Sequence, residues 1–365
     1  KIRDKWWGLP LFLPSLILPI FAHINTFAHI SSGEVFLFYL PLALMISMMM
    51  FFSWAALPGI ALGIFVRKYA ELGFYETLSL TANFIIIIIL CWGGYRVFTP
   101  RRNNVSHGDS RLISQRLFWQ IVFPATLFLI LFQFAAFVGL LASREYLVGV
   151  MPFNLGTLIN YQALLVGNLI GVPLCYFIIR VVRNPFYLRS YYSQLKQQVD
   201  AKVTKKEFAI WLLALGALLL LLCMPLNEKS TIFSTNYTLS LLLPLMMWGA
   251  MRYGYKLISL LWAVVLMISI HSYQNYIPIY PGYTTQLTIT SSSYLVFSFI
   301  VNYMAVLATR QRAVVRRIQR LAYVDPVVHL PNVRALNRAL RDAPWSALCY
   351  LHIPGMEMLV KNYGI

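Results

Sequence analysis

Apolar residues run in long blocks along this chain, separated by short polar or cationic stretches. Crossing about 30 Å of hydrocarbon takes roughly 20 apolar residues in a helix. Ten blocks come close to that length or exceed it, at roughly 8–28, 35–54, 55–70, 78–98, 118–142, 155–180, 208–226, 237–254, 255–273 and 287–309. The pattern therefore predicts an all-α polytopic membrane bundle of about ten transmembrane helices. Only Pro58-Gly59 parts the second block from the third, so the alternative is eight spans with a re-entrant segment around Pro58. Pro10, Pro14 and Pro19 interrupt the first block, and Pro41, Pro124, Pro173 and Pro244 fall in later ones. Such breaks are tolerated where neighbouring helices or a cavity satisfy the freed carbonyls.

The last block differs from the others. It stays apolar from Tyr294 to Ala308, then carries Arg310, Arg312, Arg316, Arg317 and Arg320, with no Gly or Pro before Pro326. One helix is expected to leave the bilayer and continue into water. Leu307, Val314 and Leu321 are spaced by sevens and Ile318 stands four after Val314, a short seam that fits a parallel two-helix contact between two copies. The alternative is a single anchored helix with a solvated basic face. The expected organisation is a transmembrane domain at 1–309, a signalling helix at 310–324 and the start of a soluble domain at 325–365.

Composition agrees with a membrane protein: 59% of the residues are hydrophobic and 12% charged. The net charge of +18 would point to nucleic acid in a soluble protein. Here the cations lie between apolar blocks and set topology, so no nucleic-acid partner is expected; the partner is the lipid bilayer. With both termini cytoplasmic, 26 of the 30 Lys and Arg residues fall on the inner side, leaving Arg67, Lys68, Arg144 and Lys229 outside. Arg67 and Lys68 are the awkward pair. The chain opens at Lys1 without a Met, and some preceding residues are expected to be missing.

Candidate chemistry is sparse. Asn83, Gln133, Asn160, Gln162 and Asn168 are uncharged polar residues at membrane depth, where they make interhelical hydrogen bonds or line a ligand pocket. All twelve carboxylates lie in loops, at block ends or in the tail, unlike a proton- or cation-coupled transporter. His23 and His29 are six apart and do not form a metal pair, and the four cysteines lack metal-ligand spacing. No metal or cofactor is expected in this chain. Between the sixth and seventh blocks, Leu188, Tyr191, Tyr192, Leu195 and Val199 recur at helical spacing, predicting an amphipathic helix. Thr204-Lys-Lys-Glu207 fits a capping box at the start of the seventh. The Tyr- and Pro-rich loop from His271 to Thr285 reads as interfacial anchoring, or as a lid over a pocket.

Two resemblances give these features a context. Pro244-Leu-Met-Met-Trp-Gly-Ala-Met-Arg-Tyr-Gly254, Leu57-Pro-Gly-Ile-Ala-Leu-Gly63 and Gly167-Asn-Leu-Ile-Gly-Val-Pro173 resemble the MASE family of bacterial membrane-associated sensor domains. Asn168 stands where that family often has an acid. The likeness covers about residues 8–310 and implies sensory input to a cytoplasmic output, in a bacterial inner membrane. It adds Trp248 and Arg252 to Asn83, Gln133, Asn160 and Asn168 as candidate sensing residues for an unidentified small molecule or membrane state.

The tail Asp325-Pro-Val-Val-His-Leu-Pro-Asn-Val-Arg334 is similar to the opening of GGDEF domains, the diguanylate cyclase family, with Leu336 and Leu340 in its first helix. Ser346 to Pro354 then reads as the first strand. In the family that strand brings an aspartate to magnesium, where this chain has His352. The guanine-contacting asparagine and the aspartate after it fall at Val360 and Lys361. The resemblance thus implies the beginning of a degenerate, non-cyclising domain, since a histidine is a poor hard-cation ligand and Lys361 reverses an acid's charge. Such domains are usually followed by an EAL domain, which hydrolyses cyclic di-GMP to pGpG with water activated by a divalent metal, Mg or Mn. The catalytic residues would lie outside this chain. The competing expectation is a membrane transporter or channel for a small solute, favoured by the proline-broken blocks.

Overall fold

The computed structural model describes residues 7–31, 33–98, 117–139, 154–225, 236–277, 281–324, 330–343, 349, 354–355 and 361. The chain divides into two compact units, Lys1–Arg310 and Gln311–Ile365.

The first unit opens with α1 (Leu9–Ala22), but the next element is not helical. The strands β1 (Thr26–Ile30) and β2 (Gly33–Phe38) pair antiparallel, with Ala28 opposite Val35 and His29 opposite Glu34. The all-α expectation fails here, and with it helix over 26–28 and 35–38. Val35–Phe38 is as apolar as a span, and hydropathy does not distinguish a buried strand from a helix. Two side chains satisfy backbone donors beside the hairpin. Asn160 Oδ1 accepts from the Phe36 N–H at 2.8 Å, and Asn25 Oδ1 from the Leu40 N–H at 3.0 Å.

The second and third blocks form α2 (Pro41–Phe52), a 3₁₀ turn at Ser53–Ala56, and α3 (Leu57–Leu72). The break falls at Ser53, whose φ is 54°, and not at Pro58. Pro58 instead occupies the first turn of α3, where its missing N–H leaves no helical bond unmade. Of the 12 residues of α2, ten are buried, so this helix lies inside the bundle and does not face lipid.

Helix pairing fixes relative directions. Gly59 and Gly63 lie against Pro10 and Pro14 respectively, so α1 and α3 run parallel. A Cβ on Gly59 would stand 2.5 Å from the Pro10 carbonyl oxygen, which requires glycine for this approach. The long helix α6 (Leu155–Arg183) follows α4 (Phe74–Phe98) and α5 (Phe123–Phe137), the latter entered through a π turn at Leu117–Val122. Gly167 meets Tyr39 and Tyr176 stacks near Phe51 with 4.5 Å between ring centroids, so α2 runs parallel to α6.

After α6 come α7 (Tyr187–Gln198), α8 (Lys205–Cys223), α9 (Asn236–Tyr253), α10 (Tyr255–His271) and α11 (Tyr283–Tyr323). The Glu207 N–H donates to Thr204 Oγ1 at 3.1 Å, the cap expected at the head of α8. Among the described residues, six helical runs are long and apolar enough to cross a membrane, with Pro41–Leu72 counted as one. The expected ten blocks are thus not ten such helices. Helices α1 and α10, of 14 and 17 residues, span only about 21 and 26 Å at about 1.5 Å per residue. Helix α9 carries Arg252 among its 18 residues.

In the second unit, the end of α11 is followed by a bridge between Val324 and Pro331 and by α12 (Val333–Asp342). Asn332 caps α12, its Oδ1 accepting from the N–H groups of Arg334 and Ala335 at 3.0 and 3.1 Å. Leu336 and Leu340 lie on this helix, where the sequence placed them. The expected strand at 346–354 lies almost wholly outside the described residues, as do His352 and Val360; Lys361 is exposed.

Candidate functional site

A cavity of ≈ 260 Å³ opens beside the β-hairpin, between α1, α3, α4 and α5. Its body is aromatic, built from Phe27, Phe36, Tyr39, Phe84, Phe128 and Phe132. These rings hold one another: Phe128 stacks on Phe132 at 4.4 Å, and Phe84 meets Phe128 edge-tilted at 5.2 Å. Polar residues in its lining are His23, Asn25, Tyr39, Arg67 and Lys68, and among the described residues no carboxylate lines it. Arg67 and Lys68 stand at the end of α3, both bonded to Glu71, with the Lys68 Nζ to Glu71 Oε2 distance 2.7 Å. The Arg67 Nε is buried without a hydrogen-bond partner.

None of the six proposed sensing residues lines this cavity. Asn83 turns its amide to the Ser79 carbonyl of its own helix at 3.0 Å. Gln133 follows the wall residue Phe132, and its Nε2 is buried without a partner. Asn160 holds the hairpin through Phe36, so it supports the cavity wall from behind. Asn168 is fully buried, and neither Oδ1 nor Nδ2 has a partner. Gln162, also buried, donates from Nε2 to Ser292 Oγ at 2.6 Å, an interhelical bond.

Trp248 and Arg252 belong to a different place. There Arg252 Nη1 lies 3.4 Å from Asp200 Oδ2, its Nε 3.7 Å from Glu207 Oε1, and its guanidinium 5.9 Å from the Trp248 ring centroid. The Asp200 N–H also donates to the Arg252 carbonyl at 3.0 Å. This cluster fastens the segment between α7 and α8 to the turn between α9 and α10. Nearby, α7 docks by Tyr191, whose buried hydroxyl donates to the Lys256 carbonyl at 2.9 Å. Burial pushes the pKa of that hydroxyl well up, so it stays a neutral donor. Leu188 and Tyr192 of the same helix remain exposed.

Two tyrosines of the tyrosine-rich loop turn inward and do not serve as interfacial anchors. Tyr273 and Tyr276 are buried. The Tyr276 hydroxyl donates to the Ser269 carbonyl at 2.7 Å and pairs with the Tyr294 hydroxyl on α11. Pro278 and Tyr280 lie outside the described residues. On α11, Leu307, Val314, Ile318 and Leu321 are all exposed, from 45% to 64%.

The glycines of two motif stretches, Leu57–Gly63 and Gly167–Pro173, thus sit at tight helix contacts, and the third stretch ends in the Arg252 cluster. A family model named MASE1 matches residues 7–312. The chain belongs to the MASE1 family. MASE1 domains are membrane sensor domains, and the match covers nearly all of the first unit. The chain is 99% identical, over its whole length, to the cyclic di-GMP phosphodiesterase PdeF of Escherichia coli (strain K12), covering 49% of that protein. It is 24% identical, over 99% of its length, to the probable cyclic di-GMP phosphodiesterase PdeA of the same organism, again covering 49%. The chain therefore spans about half the length of these relatives. No solved structure matches it. Neither relative is named as a transporter or channel, so that reading of this MASE1 chain gains no support.

Sequence reasoning missed the cavity. In the sequence His23 stands out only as half of a pair too far apart to bind metal, and Arg67 and Lys68 only as cations on the wrong side of a charge count. That misplacement was the available signal: two cations on the poorer side need a local reason.

Proposed function

We propose that this chain is the sensory input region of a cyclic di-GMP phosphodiesterase whose catalytic EAL domain lies in the other half of the protein. The observation that carries the reading is α11, a single helix of 41 residues that starts within the MASE1 bundle and continues through the cationic segment. A ligand or membrane state biases the bundle, and α11 passes the bias on. Leu307, Val314, Ile318 and Leu321 form the seam of a homodimer, and their exposure supports this. Residues 325–365 begin a degenerate GGDEF domain in which His352, Val360 and Lys361 replace metal- and guanine-binding groups. Domain limits are 1–309, 310–324 and 325–365.

The bundle crosses the bacterial inner membrane ten times, with both termini cytoplasmic. Support comes from which segments meet. Residues 180–207, 252–256 and Thr309 gather together, joined by Arg252 to Asp200 and by the Tyr255 N–H donating to Thr309 Oγ1 at 2.9 Å. Residues 180–207 hold seven cations and 252–256 two, and Thr309 precedes the cationic run that starts at Arg310. The hairpin and the Tyr273 corner meet at another place. The parallel pairs α1 with α3 and α2 with α6 are those of a chain that alternates direction at each block. Asn83, Gln133, Asn160, Asn168, Trp248 and Arg252 act in sensing, and the Asn160 bond that ties α6 to the hairpin supports this for one of them.

The test is an assay of the full-length protein in lipid. It should hydrolyse cyclic di-GMP to pGpG with Mg²⁺ or Mn²⁺ present and stop when EDTA removes the metal. It should make no cyclic di-GMP from GTP and carry no labelled solute into proteoliposomes. Cyclic di-GMP formed from GTP would overturn the degenerate reading, and uptake would replace a sensor by a transporter.

A further inference from the structure

We propose that the aromatic cavity binds a small anionic amphiphile, a monocarboxylate on an alkyl or aryl body, with its head at Arg67 and its body among the phenylalanines. The inference deepens the sensory reading and rests on it for its physiological meaning, though not for the binding itself.

Size sets the first limit. A volume of ≈ 260 Å³ lies at the lower edge of the roughly 300–1,000 Å³ of small-molecule sites, so the ligand is smaller than a typical drug. Polarity sets the second. The polar side chains of the lining are His23, Asn25, Tyr39, Arg67 and Lys68, without a carboxylate among the described residues. The Asn25 carbonyl oxygen is already engaged by the Leu40 N–H, which leaves its amide protons as the part able to meet a ligand. A ligand amine would face cations and donors there; a ligand acid would face their complement.

The third limit is the donor set. Arg67 lines the cavity while directing Nη1 to Glu71. Its planar guanidinium is the donor set that a carboxylate fits best. Because Arg67 and Lys68 share Glu71, at most one positive charge is left for the ligand, hence a monoanion. The rest of the wall is hydrocarbon and ring, which selects an apolar body. Fatty acids delivered through lipid and aromatic acids delivered from water share this chemistry.

The test is calorimetric titration of the full-length protein in phosphatidylcholine nanodiscs, with empty nanodiscs as the blank. Octanoate and phenylacetate represent the two sources; octylammonium, octanol and 2-phenylethanol are the controls. At least one carboxylate should bind at least tenfold more tightly than octylammonium and than the alcohol of its own body. Arg67→Gln should weaken that carboxylate tenfold or more and the alcohol less than twofold. Glu71→Gln removes the internal competitor, so carboxylate binding should tighten severalfold; it also serves if Arg67→Gln fails to fold. Equal affinity for octanoate and octylammonium, no change in Glu71→Gln, or no binding of either acid at millimolar concentration would overturn the proposal. Carboxylate binding that leaves phosphodiesterase activity unchanged would keep the site and remove its sensory role.

Discussion

The hydroxyl of Tyr273 donates to the carbonyl of Phe27 across 3.1 Å, joining residues 246 positions apart in the chain. Phe27 is a wall of the cavity, and Tyr273 stands where α10 turns back toward α11. Tyr276, three residues on, reaches the Tyr294 hydroxyl on α11 itself. The hairpin and the exit helix are therefore linked through the turn that carries both tyrosines, where the Tyr276 N–H donates to the Tyr273 carbonyl at 3.1 Å.

Tyr273→Phe removes the donor to Phe27 and the acceptor of the Gln274 Nε2 bond at 3.3 Å, and leaves the ring in place. The bond to Phe27 contributes about 0.5–1.5 kcal/mol, so the fold should survive with slightly lowered thermal stability. If the hairpin relays occupancy of the cavity, the variant should bind ligand as before and lose most of its phosphodiesterase response. An unchanged response, measured in membranes of the full-length protein, would remove the hairpin from the relay.

Gly59→Ala places a methyl group against the backbone oxygen of Pro10 and forces α1 from α3. Overpacking of this kind costs about 1–3 kcal/mol. Gly216, within α8, has nothing within 4 Å of an added Cβ, and Gly216→Ala should stabilise by about 0.5–1 kcal/mol. Opposite shifts in unfolding temperature for the two substitutions would confirm that these glycines differ in role; shifts of the same sign would contradict the α1–α3 contact.

Cysteines placed at Ser31, on the hairpin turn, and at Ser193, on α7, should be labelled from opposite faces of the membrane by an impermeant reagent. Both residues are exposed, so access limits neither reaction. Labelling of both from one face would reject the ten-span arrangement.

One residue inserted after Arg312 rotates everything beyond it by roughly 100°, and seven restore nearly the original face. Activity should change strongly with one and recover with seven if Val314, Ile318 and Leu321 meet a second copy. Val314→Leu keeps the seam apolar and should be nearly silent. Equal activity in both insertions would make the segment a passive tether.

Much of this protein was decided locally and was legible in the residues alone. Most of the apolar blocks become helices, because hydrocarbon offers no partner to an open backbone. The Thr204 cap, α7, and the unbroken α11 each follow from short-range pattern, and each is present. What the sequence left undecided depended on partners distant in the chain. Val35–Phe38 is a strand because β1 pairs with it and Asn160, 124 residues from Phe36, accepts its N–H. Arg252 serves an ion-pair cluster because Asp200 and Glu207 lie beside it, which no spacing rule encodes. The cavity is a property of packing: its walls come from residues between Leu18 and Phe132, and only their assembly leaves a space between them.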